Sequence, residues 1–410
     1  MQHIAQALPQ LVEPLGADAV ARPGDAHSHG TSGGPPQRHP DAADSSFVFL
    51  TFRGESAYPR VGDGAARRRL AWRRLWCAAR PDDGIRGDLR AGDDVTARVA
   101  TVGETMALMR TRDIGSLRHV SDLILGIGGA ESNVAIGLRR LGIDVTWLGR
   151  VGDDPLGERV TREIRAEGVD VQSVIDPQAP TGLMLKERPS ASSTAVFYYR
   201  AGSAGSRLQP DDMPPGWIEN VEILHVSGIT ALLSDSARDC VLTAISRAQA
   251  VGVQVSFDVN YRSTLATADV AGPLLRKIAE NADFVFGGPE ELNLLYPDSG
   301  PAEVAERLVR SGRREVVLKM GADGAAVYSC DAVVQAAGFT VDVVDTVGAG
   351  DAFVAGYLSG KVQGLNVPGR LQRANACGAM LCMTPGDWES SPTLSDVERF
   401  CQPGTDPVLR

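Results

Sequence analysis

The segment DVTWLGRVGDDPLGERVTREIRAEG, residues 144–168, decides the fold. It opens on a short apolar run that ends in glycine, the mark of a buried strand, and passes within a few residues into a helical pattern. RVATVG (98–103), VEILHVSG (221–228), VQVSFDVN (253–260), ADFVFGG (282–288) and EVVLKMG (315–321) repeat the strand signal. ESNVAIGLRRLG (131–142), SARDCVLTAISRAQAVG (236–252) and AEVAERLVRSG (302–312) repeat the helical one. Fully apolar strands alternating with helices predict an α/β domain around a mainly parallel sheet, with ligands at the carboxyl ends of the strands. Two segments break the alternation, TMALMRTRD (105–113) and TGLMLKERPSASSTAVFYYR (181–200). Each is half apolar and half polar. They predict a small separate sheet, a lid over the ligand site, with strands within about 105–120 and 181–200.

The chain has 410 residues, a net charge of −10 and six cysteines. Its length exceeds one ordinary compact domain. The acidic balance argues against general nucleic-acid binding, which needs a basic surface. It leaves room for phosphate ligands, which a few local donors can hold. The cysteines form no CxxC pair and no zinc-spaced cluster with histidine, so they read as free thiols in a reducing compartment. There is no apolar run of about 18 residues for a membrane span and no signal-peptide pattern at the start. A cytoplasmic protein is expected.

Residues 1–96 differ in texture. ARPGDAHSHGTSGGPPQRHPDAADSS (21–46) is rich in breakers and has no periodicity, so loop or disorder is expected. ARRRLAWRRLWCAAR (66–80) has the pattern of a short basic amphipathic helix for a membrane surface or an acidic partner. A solvated or poorly ordered extension is the preferred reading, followed by upstream sequence preceding a true start near Val95 or Val99. The expected division is 1–96 extension, 97–395 catalytic domain and 396–410 tail.

Near the other end stands DTVGAGDAFVAGYL (345–358). Gly348, Ala349 and Gly350 carry no side chain beyond a methyl, so their amides can approach one ligand closely. A helix begins there, and its positive end points at the same spot. This is an anion hole with Asp351 on its rim. A carboxylate in that place suits a general base that takes a proton from a hydroxyl attacking a phosphoryl group. The plainer alternative is an ordinary first-turn acid. No GxGxxG or GxxxxGK[ST] pattern competes for the phosphates.

DTVGAGDAF resembles the C-terminal signature of the ribokinase-like, PfkB-type sugar kinases, and GGAESNVAIGLRRLG (128–142) with LGRVGDDPLGERV (148–160) resembles their N-terminal one. The likeness covers about residues 98–392. It implies a three-layer ribokinase-like fold with a β-sheet lid, Asp351 as catalytic base, and the Gly348-Ala349-Gly350 amides as the anion hole. It implies ATP and Mg2+. It places Lys319, Gly321 and Gly324 of KMGADGAAVY (319–328), a hairpin turn by spacing alone, together with Thr346 near the nucleotide. Asn375 of RANACGAM (373–380) falls near the adenine. In FGGPEELNLL (286–295), Glu291 aligns with a magnesium-linked Glu, with Glu290 as the alternative, while Gly288 stands where Asn is usual. A monovalent cation such as K+ beside Asp345 and Thr346 is implied by the resemblance alone.

FYYRAGSAGS (197–206), HVSGITALL (225–233), FDVNYR (257–262) and GDWE (386–389) resemble the 2-keto-3-deoxygluconate kinase branch. There, Tyr198 and Arg200 descend from the lid onto substrate and Arg262 comes from a strand end. Two guanidiniums around one pocket suit a carboxylate, which they grip bidentately. Gly128, Gly129, Asn133 and Ile229 line the sugar site, while Met184 stands where that branch often has Tyr. The expected activity is transfer of phosphate from ATP to the terminal hydroxyl of a sugar acid. A kinase of a neutral sugar or nucleoside, and a non-catalytic sugar- or nucleotide-binding regulator, are the competing readings. The open edges of the lid sheet predict a homo-oligomer paired through the lid.

Overall fold

Residues 98–190, 193–312 and 315–402 of the computed structural model are described; the expectations for residues 1–96 fall outside them. The strands are β1 (Val99–Val102), β2 (Met106–Thr111), β3 (Leu123–Gly128), β4 (Val145–Gly152), β5 (Asp170–Asp176), β6 (Leu183–Ser190), β7 (Ser193–Tyr199), β8 (Ile223–Ser227), β9 (Gln254–Asp258), β10 (Phe284–Gly287), β11 (Glu315–Lys319), β12 (Ala325–Ser329) and β13 (Val333–Ala336). The helices are α1 (Ala130–Arg140), α2 (Pro155–Ala166), α3 (Gly228–Leu233), α4 (Asp235–Val251), α5 (Ala268–Ala279), α6 (Pro289–Leu295), α7 (Pro301–Arg310), α8 (Ala349–Val362), α9 (Val367–Leu381) and α10 (Leu394–Phe400).

A nine-stranded sheet runs in the order β13-β12-β11-β10-β9-β8-β1-β4-β5, parallel from β11 to β5 and antiparallel at β12 and β13. Its central strands are buried along their whole length, which is why they read as unbroken apolar runs. Helices cover both faces. A second, four-stranded sheet has the order β3-β2-β6-β7. Its apolar side is thin: Met106, Leu108 and Met184, with Val196 packed against them.

Helix α8 is apolar on all sides because it is enclosed on all sides. Phe286 of β10 meets Tyr357 edge to face at 5.4 Å. The Tyr357 hydroxyl donates to Glu315 Oε2 at 2.6 Å, and Arg370 of α9 pairs with the same carboxylate at 2.7 Å. Where α1 crosses α8, a Cβ on Gly137 would come within 2.8 Å of the Ala355 methyl, so glycine lets the two helices touch. These contacts fix the height and rotation of the helix that carries Asp351.

Three boundaries differ from expectation. The lid takes a strand from 123–128, beyond the expected 105–120, because LILGIG pairs antiparallel with the whole of β2. Strand β5 at the edge of the large sheet has mixed polarity and mostly half-buried residues, so it carried no apolar run to read. The final helix crosses the boundary drawn at residue 395: a Thr393 capping box starts it, and Val397 packs into the core. Cys240, Cys377, Cys382 and Cys401 are free thiols. Among the described residues, no helix is long and apolar enough to cross a membrane.

Candidate active site

Gly348 caps α8 with φ 82°, in the left-handed region, and a Cβ there would come within 1.9 Å of the Asp387 carbonyl oxygen. Both facts require glycine. The preceding turn is tied by Asp345, whose Oδ1 accepts the Val347 N–H at 3.2 Å. Ala349 donates its own N–H to the Thr346 carbonyl at 3.2 Å. Of the Gly348, Ala349 and Gly350 amides expected to hold a phosphoryl group, that of Ala349 is therefore engaged inside the turn. Those of Gly350 and Asp351 lie in the first helical turn and have no intrahelical acceptor. A Cβ on Gly350 would meet nothing nearer than the Lys319 ammonium at 3.7 Å, so packing does not demand glycine there.

Asp351 is 8% exposed and accepts a hydrogen bond from Asn133 Nδ2 at 2.8 Å. Burial pushes its carboxyl up to about 7 from 3.8, the Asn133 amide pulls against the rise, and the nearby Asp258 carboxylate adds to it. Lys319, at the end of β11, bonds both oxygens of Asp258 at 2.7 and 2.9 Å. Burial opposes charge on Lys319, but the Asp258 and Glu291 carboxylates outweigh it and hold its pKa above the ordinary lysine value. A cation thus stands beside the first turn of α8 together with a carboxyl whose pKa is raised to about 7.

A cleft of about 650 Å³ opens over this floor at the carboxyl ends of the strands. Gly129, Asn133, Gly348 and Asp351 lie at its base, Gly128, Met184, Tyr198 and Arg200 come from the lid, Ile229 from α3 and Arg262 from the segment after β9. The two glycines allow close packing: a Cβ on Gly129 would strike the Glu104 carbonyl at 2.4 Å, and one on Gly128 the Met184 methyl at 2.3 Å. Nine of the seventeen predicted site residues line this cleft.

The two arginines differ in state. Arg200 is paired with the buried Glu104, Nε to Oε2 at 2.7 Å, and lies 5.7 Å over the Tyr198 ring. Glu104 also accepts a hydrogen bond from Ser203. Arg262 is exposed, donates to the Tyr261 carbonyl at 3.2 Å, and acts on Asp351 through its charge. The expected pair of free guanidiniums is one neutralised and one available.

The remaining predicted residues lie around the outer end of β11. Gly321 and Gly324 have positive φ in the turn between β11 and β12, so the hairpin reading of the spacing holds as geometry. A Cβ on Gly324 would strike the Ala336 carbonyl at 2.1 Å, and Asn375 donates to the carbonyls of Ala336 and Ala337 at 3.3 and 3.0 Å. Gly324 and Asn375 thereby converge on residues 336–338. Thr346 is exposed in the turn before α8. Both Glu291 oxygens accept backbone N–H groups, from Gly288 at 2.7 Å and Tyr261 at 3.1 Å. Among the described residues, no group of three His, Cys, Asp or Glu is arranged to hold a metal ion.

Comparison with known proteins agrees with this geometry. Residues 96–394 match the family model described as pfkB family carbohydrate kinase. The chain belongs to the pfkB family of carbohydrate kinases. A 2-dehydro-3-deoxygluconokinase of Bacillus subtilis is 38% identical over 305 residues, covering 73% of this chain and 94% of the relative. A 2-dehydro-3-deoxygalactonokinase of Haloferax volcanii is 32% identical over 313 residues, covering 76% and 98%. An E. coli protein described as a ribokinase II, solved with ATP and Mg2+, superposes with a TM-score of 0.69 at 26% identity, covering 74% of this chain and 98% of the other. As a pfkB kinase the chain is a phosphotransferase with an alcohol group as acceptor, on the ribokinase-like fold expected for it.

Several residues of this kinase site escaped the sequence reading. Glu104 and Asp258 neutralise Arg200 and Lys319. Glu131 is buried in α1; burial raises its pKa while the hydroxyls of Ser227 and Thr230 donate to it and pull against the rise. The signal available for Asp258 was its place at the carboxyl end of an apolar strand.

Proposed function

We propose that this pfkB kinase transfers the terminal phosphoryl group of ATP to the terminal hydroxyl of 2-keto-3-deoxygluconate or a close sugar acid. The observation that carries the reading is Asp351: a buried carboxyl with a pKa near 7, set behind the first-turn amides of α8 at the base of the cleft. A base of that pKa is half ionised at neutral pH and strong enough to take a hydroxyl proton as the phosphoryl group is attacked. Asn133 holds the accepting oxygen in place. The Gly350 and Asp351 amides and the Lys319 ammonium stabilise charge on the transferring group. The lid strands β6 and β7 limit water at the reacting atoms.

Magnesium, bound with ATP, would neutralise charge on the phosphates. The nucleotide's own oxygens would hold it, and Glu291, already bonded to two amides, would reach it through water. Lys319, Gly321, Gly324, Thr346 and Asn375 would form the nucleotide side. Arg262 would grip the substrate carboxylate, supported by Tyr198 and the Arg200–Glu104 pair. The names of the B. subtilis and H. volcanii relatives support an acidic substrate. A neutral sugar is the second reading, favoured by the neutralisation of Arg200. Pairing of two copies through the lid is supported by Phe197 and Tyr199, 45% and 62% exposed on β7.

ATP turnover on 2-keto-3-deoxygluconate, ribose and fructose tests the assignment. The expected result is a higher kcat/KM on the acid by 10²-fold or more, roughly the worth of a charged hydrogen-bonded grip. Preference for a neutral sugar would return Arg262 to a structural role.

A further inference from the structure

Lys186 lies in lid strand β6, yet it is 2% exposed. Its ammonium is 2.6 Å from Asp345 Oδ2 and 2.7 Å from Asp387 Oδ1, and both carboxylates are buried. Neither acid belongs to the lid. Asp345 holds the turn before the anion hole through the Val347 amide. Asp387 lies in the loop whose carbonyl packs against Gly348. One ammonium thus ties the lid to both segments that shape the anion hole. A buried charge persists only where it is paired, and removing this one would strand two carboxylates.

The resemblance implied a monovalent cation beside Asp345 and Thr346, and the residues do not fit one. The point between the two carboxylates is taken by Lys186 Nζ, and a second cation there would face it at contact distance. The cavity that opens on Asp345 and Lys186 measures about 20 Å³ and is lined by Arg110, Arg112 and Arg188 as well. A metal ion would approach past three guanidiniums, against their field.

We propose that Lys186 is a positioning residue: a built-in cation that holds the anion-hole turn through Asp345 and Asp387, in place of a monovalent metal ion. The inference rests on the phosphotransfer role of that turn. It makes the kinase independent of K+ and links seating of the lid strand to the shape of the catalytic loop.

The test is thermal unfolding and turnover of the full chain in choline chloride and in potassium chloride at matched ionic strength. In the unaltered protein neither quantity should respond to K+. In Lys186→Ala, kcat should fall roughly 10²-fold, the loss typical of a misplaced anion-hole donor, with little change in sugar KM. K+ or methylammonium should then raise both the melting temperature and kcat of the variant, while choline should not. If that variant fails to fold, Lys186→Met with Asp387→Asn keeps the net charge of the cluster and fills the site, so its kcat should fall with no relief by K+. Activation of the unaltered kinase by K+ overturns the proposal. So does a variant with unmoved kcat, a Lys186→Ala loss that no small cation relieves, or relief of the double variant by K+. Melting temperature needs no substrate, so an error in the sugar assignment leaves this test standing.

Discussion

Helix α8 is enclosed on every side and delivers Asp351 to the cleft already bonded to Asn133, whereas the last three residues of β7, which deliver Tyr198, are exposed. The floor is held by the Tyr357–Glu315–Arg370 cluster and by contact of α1 with α8. The lid rests on a handful of apolar side chains and on ion pairs, among them Arg200–Glu104, Arg110–Glu389 and Lys186 with its two acids. The difference is a division of labour. Chemistry needs groups placed to a fraction of an ångström, and a packed core supplies that. Substrate entry needs a cover that can part, and few apolar contacts allow it.

If the floor performs the chemistry, Asp351→Asn should lower kcat by 10²-fold or more, the usual range for a positioned base. The fold should survive, since an amide oxygen can still accept from Asn133. The folded carboxyl titrates near 7 and the unfolded one near 3.8. Between those values the folded state binds the extra proton, so wild-type stability falls as pH rises through that window. The variant should therefore melt higher than wild type above pH 7 and gain nothing near pH 4. A melting series across that range checks the sign.

If the lid is held by its ion pairs, Arg200→Met should destabilise by about 3 kcal/mol, the scale for stranding a buried partner, here Glu104. Denaturant unfolding reads it, and a change below 1 kcal/mol would make the pair a surface contact in energetic terms. Arg262→Ala should act chiefly on binding: KM for a sugar acid should rise roughly tenfold to 10²-fold, as for loss of a charged hydrogen bond, while a neutral sugar feels only the upward shift of the Asp351 pKa that follows loss of the Arg262 charge. The smallest effect sharpens the picture of the floor. Gly350→Ala places a methyl where packing leaves space, so stability should rise by about 0.5–1 kcal/mol from helix propensity while turnover falls. Gly348→Ala, at φ 82° and against the Asp387 carbonyl, should instead destabilise.

Much of the floor was legible in the sequence. Unbroken apolar strands announced the parallel sheet, and small residues before an acid announced the tight turn that starts α8. What could not be read was pairing over distance. Lys319 finds Asp258 from 61 residues away, and Lys186 finds Asp387 from 201 away. Arg200 looked like a free substrate grip because its partner, Glu104, sits 96 residues upstream beyond another strand. One hint was available: Lys186 occupies a buried position in an alternating lid strand, where lysine needs a partner. The edge strands β5 and β13 were missed for a different reason, since neither is fully buried and neither has an apolar run.

The central claim is that the buried Asp351 is the base, and the pH dependence of kcat/KM tests it most directly, because that quantity reports ionisation in the free enzyme. With saturating ATP and Mg2+ and limiting sugar acid, the account predicts a rate that climbs with pH and bends near 7, and a residual Asp351→Asn rate without that bend. A profile flat through neutrality, or an unchanged bend in the variant, would contradict it.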